Sequence, residues 1–397
     1  MNLGPGGPRN LPYTYTPCAK VKEIIRMLSS APSMQALQAL RHEIAARGWT
    51  RKATGRILFE LLLNLTMFAV GAVVFVTFPQ LVLRAAALVL VAAGSMGVAT
   101  NTHTASHYAT SRKKSVNEAL TYFGYPFFLG LSATFWWHQH VAVHHTAPNV
   151  IGVDDDADLA PWLARTREEI SDSSGFRRIY YQHLQWLVLP VLLSLNAFGM
   201  TTTGWIHLLR QLLDGRRRTS KHWFDLAAML LHYGCFLVAP ALFLGVTPVI
   251  ALYLLRMLLL GYLMFAILAP GHFPAEAICV RARPGESSYV RLQTAATVNF
   301  RVGWVGRLLC SGLQYQVEHH LFPGISHVYY PKLSVLLRDF CRQYGLPYRS
   351  YQWDHALYKC LATFRRPPAT LAYVDSFFES SGLAASATVT PPGRGTP

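Results

Sequence analysis

Two pairs of long apolar runs decide most of what this chain can fold into. Residues 57–78 and 81–101 form the first pair, with only Pro79-Gln80 between them; residues 224–244 and 249–269 form the second, joined through Gly245-Val-Thr-Pro248. Each run approaches the ~20 apolar residues that cross a hydrocarbon core about 30 Å thick. In such a core the backbone must satisfy its own polar groups, so these runs are helices. Connections this short make each pair a hairpin. Composition agrees: charged residues are 14% of the chain, where soluble proteins carry about 25%.

Basic residues orient the hairpins. Arg41, Arg47, Arg51, Lys52 and Arg56 precede the first, and Arg112-Lys113-Lys114 follow it; Arg216-Arg217-Arg218 and Lys221 precede the second, and Arg281 and Arg283 follow. Positive charge marks the cytoplasmic side, so both hairpins start and end there. The net charge of +16 then reads as a match for an anionic membrane face rather than for nucleic acid. Arg84 and Arg256 fall toward the outer half, where snorkelling is expected to accommodate them. Two further apolar stretches, Leu120–Trp137 and Trp186–Leu209, are assigned to the interface as in-plane or re-entrant helices. A single crossing by the first would put the histidine sets described next on opposite faces.

The expected fold is therefore an all-α integral membrane protein. It has four transmembrane helices, interfacial helices, and a cytosolic helical cap drawn from residues of about 138–182 and 273–366. Residues 1–32 are expected to be a flexible tail, 33–366 the membrane domain, and 367–397 a low-complexity tail. No secretory signal precedes the first run. Six scattered cysteines without a Cys-x-x-Cys pair indicate neither a zinc framework nor a disulfide scaffold.

Histidines cluster where the runs end. His103-x-x-x-His107 follows the second run, His140-x-x-x-His144-His145 opens the cap, His272 follows the fourth run, and Gln316-Val-Glu-His319-His320 lies further on. Helical residues four apart share a face, so His103 and His107 can point at one place, as can His140 and His144, with His145 turned about 100° away. Eight histidines and a glutamine are too many for one metal and suit two. Imidazole serves zinc, copper, iron or nickel, and spacing does not choose among them. Asn149, Asp156, Asn299 and His138 stand near enough to hydrogen-bond the imidazoles, as do Asp154, Asp155 and Asp158. Histidines outside the sets, such as His207, His232 and His355, read as packing residues.

Trp136-Trp137-His-Gln-His140-Val-Ala-Val-His144-His145 and Gln316-Val-Glu-His-His-Leu-Phe-Pro323 resemble the histidine boxes of the membrane fatty-acid desaturases. The likeness covers residues of about 35–355. A third box opening with Gln rather than His is similar to the front-end subgroup, which places a double bond between an existing one and the carboxyl end. Gln293–Asn299 and Ser326–Pro331 resemble that subgroup's flanks. The resemblance implies two non-haem irons, molecular oxygen as co-substrate, and a fatty acyl chain carried on coenzyme A or a phospholipid. It implies His103, His107, His140, His144, His145, His272, His319, His320 and Gln316 as the metal-site residues.

Front-end enzymes often carry a fused cytochrome b5 domain. Gly4-Pro-Gly-Gly7 lacks that domain's haem histidine, so a separate donor is expected, cytochrome b5 or a ferredoxin with its reductase. The active site is expected on the cytosolic face of a bacterial cytoplasmic membrane or of the endoplasmic reticulum. Sphingoid-base desaturation and lipid hydroxylation are the alternatives on the same scaffold. A metal transporter is a more distant one, since its ligands would line the spans rather than follow them.

Overall fold

The computed structural model describes residues 32–281 and 289–380; the N-terminal tail, Arg283 and the low-complexity stretch after 380 lie outside them. Helix α1 is Pro32–Ala46. Among the described residues five helices are long and apolar enough to cross a membrane: α2 Thr54–Thr77, α3 Leu81–Ser106, α4 Gly175–Leu213, α5 Ser220–Leu244 and α6 Val246–Gly271. Helices α2 and α3 form the first hairpin, and α5 and α6 the second. Leu62, Val73, Leu81, Val82, Leu242 and Phe243 stand exposed on them, an apolar surface suited to lipid and not to water. Within the first hairpin the two backbones touch: a Cβ on Gly94 would lie 2.6 Å from the Phe68 nitrogen. Small residues permit such approaches in membrane helices.

Helix α3 runs past the expected end at 101. Its polar last turns find partners at once. Asn101 Nδ2 donates to Ile57 O, Thr102 Oγ1 to Val98 O, and Ser106 Oγ to His103 O. His103 is thereby delivered on a rigid helix, with His107 at its C-terminal cap.

Helix α4, at 39 residues, is about 58 Å long at 1.5 Å per residue, nearly twice a hydrocarbon core. Both its flanks are tied to the histidine side. Gln185 Nε2 donates to Phe364 O in the cap, and Ala164 N donates to Gln185 Oε1. After Leu213 the chain enters α5 within seven residues, where Asp225 accepts hydrogen bonds from Ser132 and Thr134 just ahead of the second histidine set. The chain therefore returns to the side it left. In its long α-helical part, Leu189, Ala197, Gly204, Leu208 and Leu212 are buried in one stripe; by length and composition this is a fifth candidate span, where the sequence led to the expectation of four.

Leu120–Trp137 is not one helix. Lys114–Tyr122 passes into a π-helical turn, Phe123–Leu129, which holds Pro126; Gly130 then breaks the chain at φ +76° before Ala133–Trp136. Arg84 behaves as expected, exposed and donating to Phe78 O. Arg256 does not snorkel: it is 3% exposed and turns inward, away from the membrane surface.

In the cap, α7 Gln316–Leu321 and α8 Tyr330–Gln343 pack on α1 through Leu37, Leu40, Ile44, Val317, Leu333, Leu337 and Phe340. A two-stranded parallel sheet, Asn299–Arg301 with Ser350–Gln352, ties its halves together. Residues 367–380, which the sequence placed in the tail, join the cap. Leu371 N donates to Cys279 O, and Val374 and Phe378 of the helix Val374–Ser380 pack with Leu292, Ala295 and Ala296.

Candidate metal centre

All eight histidines and Gln316 meet in one place, between 0% and 9% exposed. Their donor atoms fall into two unequal all-histidine sets, with a third group of His140, His144 and Asp156 beside them. His103, His107, His140, His145 and His319 converge on one point, their ligand atoms within 4.8 Å of one another; His144, His272 and His320 converge on a second. His103 Nε2 lies 3.0 Å from His107 Nε2 and 3.1 Å from His319 Nε2. His140 and His145 Nε2 are 3.2 Å apart, as are His272 and His320 Nε2.

The second set refines the helical expectation: His140 Nε2 faces His145 Nε2 in the five-histidine set, while His140 and His144 also come together with Asp156, as the four-residue spacing leads one to expect. Residues Trp137–His144 form a π-helix, in which residues five apart align. His145 N donates to His140 O at 3.1 Å, the i to i+5 bond of that geometry. The wider turn sends His144 to the other set. His319 and His320 divide likewise, one to each.

Hydrogen bonds on the outer nitrogens fix the tautomers. His140 Nδ1 donates to Asp156 at 2.9 Å and His144 Nδ1 to Asp154 at 2.9 Å. His320 Nδ1 donates to Gln293 Oε1 at 2.9 Å. Each of these imidazoles therefore turns an unprotonated Nε2 inward. His140 and His320 thus offer bare Nε2 atoms to His145 and His272 at 3.2 Å. A metal held by nitrogens at ~2.1 Å spaces neighbouring ligands by about 3.0–3.4 Å, so the donors fit metals. Among the buried polar atoms left without a partner are Gln316 Oε1, His145 Nδ1 and His272 Nδ1. Gln316 lies against Gly271, where a Cβ would meet its Cγ at 2.3 Å. Its free carbonyl sits beside the three-histidine set.

Outside the spans, burial favours the neutral form and prevails at every one of these imidazoles except His144. It lowers the pKa of His107 and of His272 to about 3, helped in both by the charge of His144. At His144 burial also opposes the charged form, but Asp154 outweighs it and the pKa rises. Burial lifts Asp156 to about 7. Neutral imidazole is the form that binds metal.

Of the other expected hydrogen-bonding residues, only some touch imidazoles. Asn149 donates to the carbonyls of His272, Ala277 and Ala296, so it positions the His272 loop instead. Asn299 binds Glu318 and the Val317 N–H, fixing α7. His138 is exposed and stacks on His207, away from the cluster.

Sequence reasoning missed four supports. Gln293 was noticed only as part of a flank. Arg165, 1% exposed, donates to His272 O and Ala157 O; nothing in its local sequence marks it. Trp136 stacks on His140 at 4.2 Å. Asp225 is an acid inside an apolar run, itself a signal in membrane chains. It accepts from Ser132 Oγ, Ala133 N, Thr134 N and Thr134 Oγ1, anchoring the turn that carries Trp136 and the second set.

Comparison with known proteins agrees with this geometry. The fatty acid desaturase family model matches residues 79–352, more than half of the chain. The chain belongs to the fatty acid desaturase family. It is 28% identical over 250 residues to a delta(5) fatty acid desaturase of Caenorhabditis elegans, covering 62% of this chain and 55% of that protein. It is 26% identical over 271 residues to a delta(8)-fatty-acid desaturase of Euglena gracilis, covering 66% and 64%. With the sn-1 linoleoyl-lipid 6-desaturase of Synechocystis it shares 27% identity over 266 residues, covering 63% and 70%. The chain thus spans less than two thirds of the length of the first two of these desaturases.

Proposed function

We propose that the protein is an oxygen-dependent fatty acyl desaturase of the front-end type, adding a cis double bond on the carboxyl side of an existing one. The observation that carries the reading is the division of eight buried imidazoles into sets of five and three, with Gln316 beside the smaller. A nitrogen-rich pair of metal sites at the ends of membrane helices suits oxidation of a lipid. The overall change is CH2–CH2 plus O2, two electrons and two protons to CH=CH plus two waters, the electrons coming from a separate protein donor.

His103, His107, His140, His145 and His319 would hold one iron, and His144, His272, His320 and Gln316 the other. Iron so held supplies the oxidising power that an unactivated C–H bond requires, chemistry no side chain offers. The chain contributes position and dryness. Asp156, Asp154 and Gln293 fix His140, His144 and His320 in the tautomer that binds metal. Tyr125 stacks on Trp136 at 4.5 Å, and Trp136 on His140, so buried aromatic rings pack beside the five-histidine set. Regiochemistry then follows from where the acyl chain is held relative to the two sets. The clusters Arg112-Lys113-Lys114 and Arg216-Arg217-Arg218 support a cytosolic orientation for this side.

Expression in a host fed defined fatty acids, with double bonds located by mass spectrometry, tests the reading. A product unsaturated between an existing double bond and the carboxyl carbon is expected. A product gaining oxygen instead of losing two hydrogens overturns it in favour of a hydroxylase.

A further inference from the structure

On the opposite side of the bundle from the histidines, the two hairpins leave a cavity of about 420 Å³ between them. Its walls are apolar side chains such as Ala72 and Val76 of α2, Val91 of α3, Pro240 of α5 and Leu252 of α6. Arg256 is the charged residue lining it. Ten residues separate Arg256 from the start of α6 at Val246, about 15 Å at 1.5 Å per residue, or half of a ~30 Å core.

Arg256 sits in the cavity wall as an enclosed cation, 3% exposed, whose charge no described residue nearby neutralises. Its Nε donates to Ser95 Oγ at 2.9 Å and its Nη2 to Phe128 O at 2.9 Å. Nη1 is buried and has no partner. Phe68, Phe128, Phe236 and Tyr253 surround the guanidinium at 5.7–5.9 Å, a ring of faces that favours retention of charge. Among the described residues no carboxylate pairs with it. Its neighbour His232 is already engaged with Phe127 O and Tyr253 OH. A guanidinium cannot shed its charge by deprotonation, and an unneutralised charge at this depth is costly.

We propose that this cavity binds a long-chain fatty acid, its carboxylate on Arg256 and its chain along the apolar walls toward the turns. The ligand must present one compact anion on an otherwise apolar body. A single-chain carboxylic acid meets both requirements and can enter from the bilayer. The site is distinct from the histidine sets and does not depend on the reaction proposed for them.

Photolabelling in lipid nanodiscs tests this without relying on turnover. The probe is a long-chain fatty acid with a diazirine near its methyl end, and labelled peptides are mapped by mass spectrometry. Label is expected on α2 and α5 around Ala72–Val76 and Pro240–Leu244. Unlabelled palmitic acid should compete about ten- to a hundredfold better than its methyl ester, the usual worth of a charge-assisted hydrogen bond pair. Arg256→Gln should lower labelling by at least about tenfold, and Ala72→Trp, which fills the cavity and keeps the arginine, should abolish it. Equal competition by the methyl ester would overturn the proposal, leaving a cavity that takes any acyl chain. Better competition by phosphatidic acid would overturn it in favour of a phosphate ligand. Should Arg256→Gln fail to fold, judged by metal content and melting temperature, the competition series on the unaltered protein decides alone.

Discussion

Gly271→Ala isolates Gln316 without altering it. The new Cβ would lie 2.3 Å from Gln316 Cγ and 2.8 Å from its Cδ, closer than carbon atoms tolerate, so the glutamine side chain must leave its position. In the proposed assignment Gln316 joins His144, His272 and His320, and the five-histidine set does without it. Loss of a partner of this kind typically costs about ten- to a hundredfold in metal affinity, or about 1.4–2.7 kcal/mol. The assay is competition with a graded chelator, counting metal retained per chain. One metal is expected to hold as in the unaltered protein and the other to leave at ten- to a hundredfold lower chelator, about the range for such partners. Gln316→Ala should do the same, and the double variant should be no worse than either, since both act through one side chain. Additive losses, or equal weakening of both metals, would refute the assignment of Gln316 to the smaller set.

Other consequences can be checked alongside. Asp154→Asn should weaken the metal of the three-histidine set and Asp156→Asn that of the five-histidine set, each by about ten- to a hundredfold, separable by the same chelator titration. Asp225→Asn turns an amide N–H toward donors that the carboxylate now satisfies; a loss of about 1–3 kcal/mol should appear as a lower melting temperature, with metal content falling although no ligand has changed. Metal-free protein should lose stability in acid. His107 and His272 are held at about 3 against an ordinary 6.5, so the unfolded chain takes up protons first. Their contribution is complete above about 6.5 and declines as pH falls toward 3; a melting temperature unchanged across that range would count against neutral, buried imidazoles.

Particular residues show where sequence was a sufficient guide. The hairpins were legible because apolar length acts locally, and the same rule put His103 and His272 at one end of the bundle, although the helix carrying His103 runs on to Ser106. The approach of His145 to His140 was not legible. Nothing in Trp137–His144 announces a π-helix, and the ordinary helical period paired His140 with His144. Arg256 was read as a snorkelling residue because sequence gives depth but not direction; Ser95, Phe128 and the aromatic ring that turn it inward come from distant segments. The supports on Gln293, Arg165 and Asp225 are likewise long-range contacts. Their bonds to His320, His272 O and Ser132 span 27, 107 and 93 residues, beyond the reach of any local pattern.

Iron per chain is the most direct test of the central claim. Protein purified from cells with ample iron, and desaturating in a parallel assay, should contain two irons by elemental analysis; His320→Ala should contain one and His319→Ala should disturb the other. A single iron per active chain, or activity with none, would contradict a centre built from two unequal histidine sets.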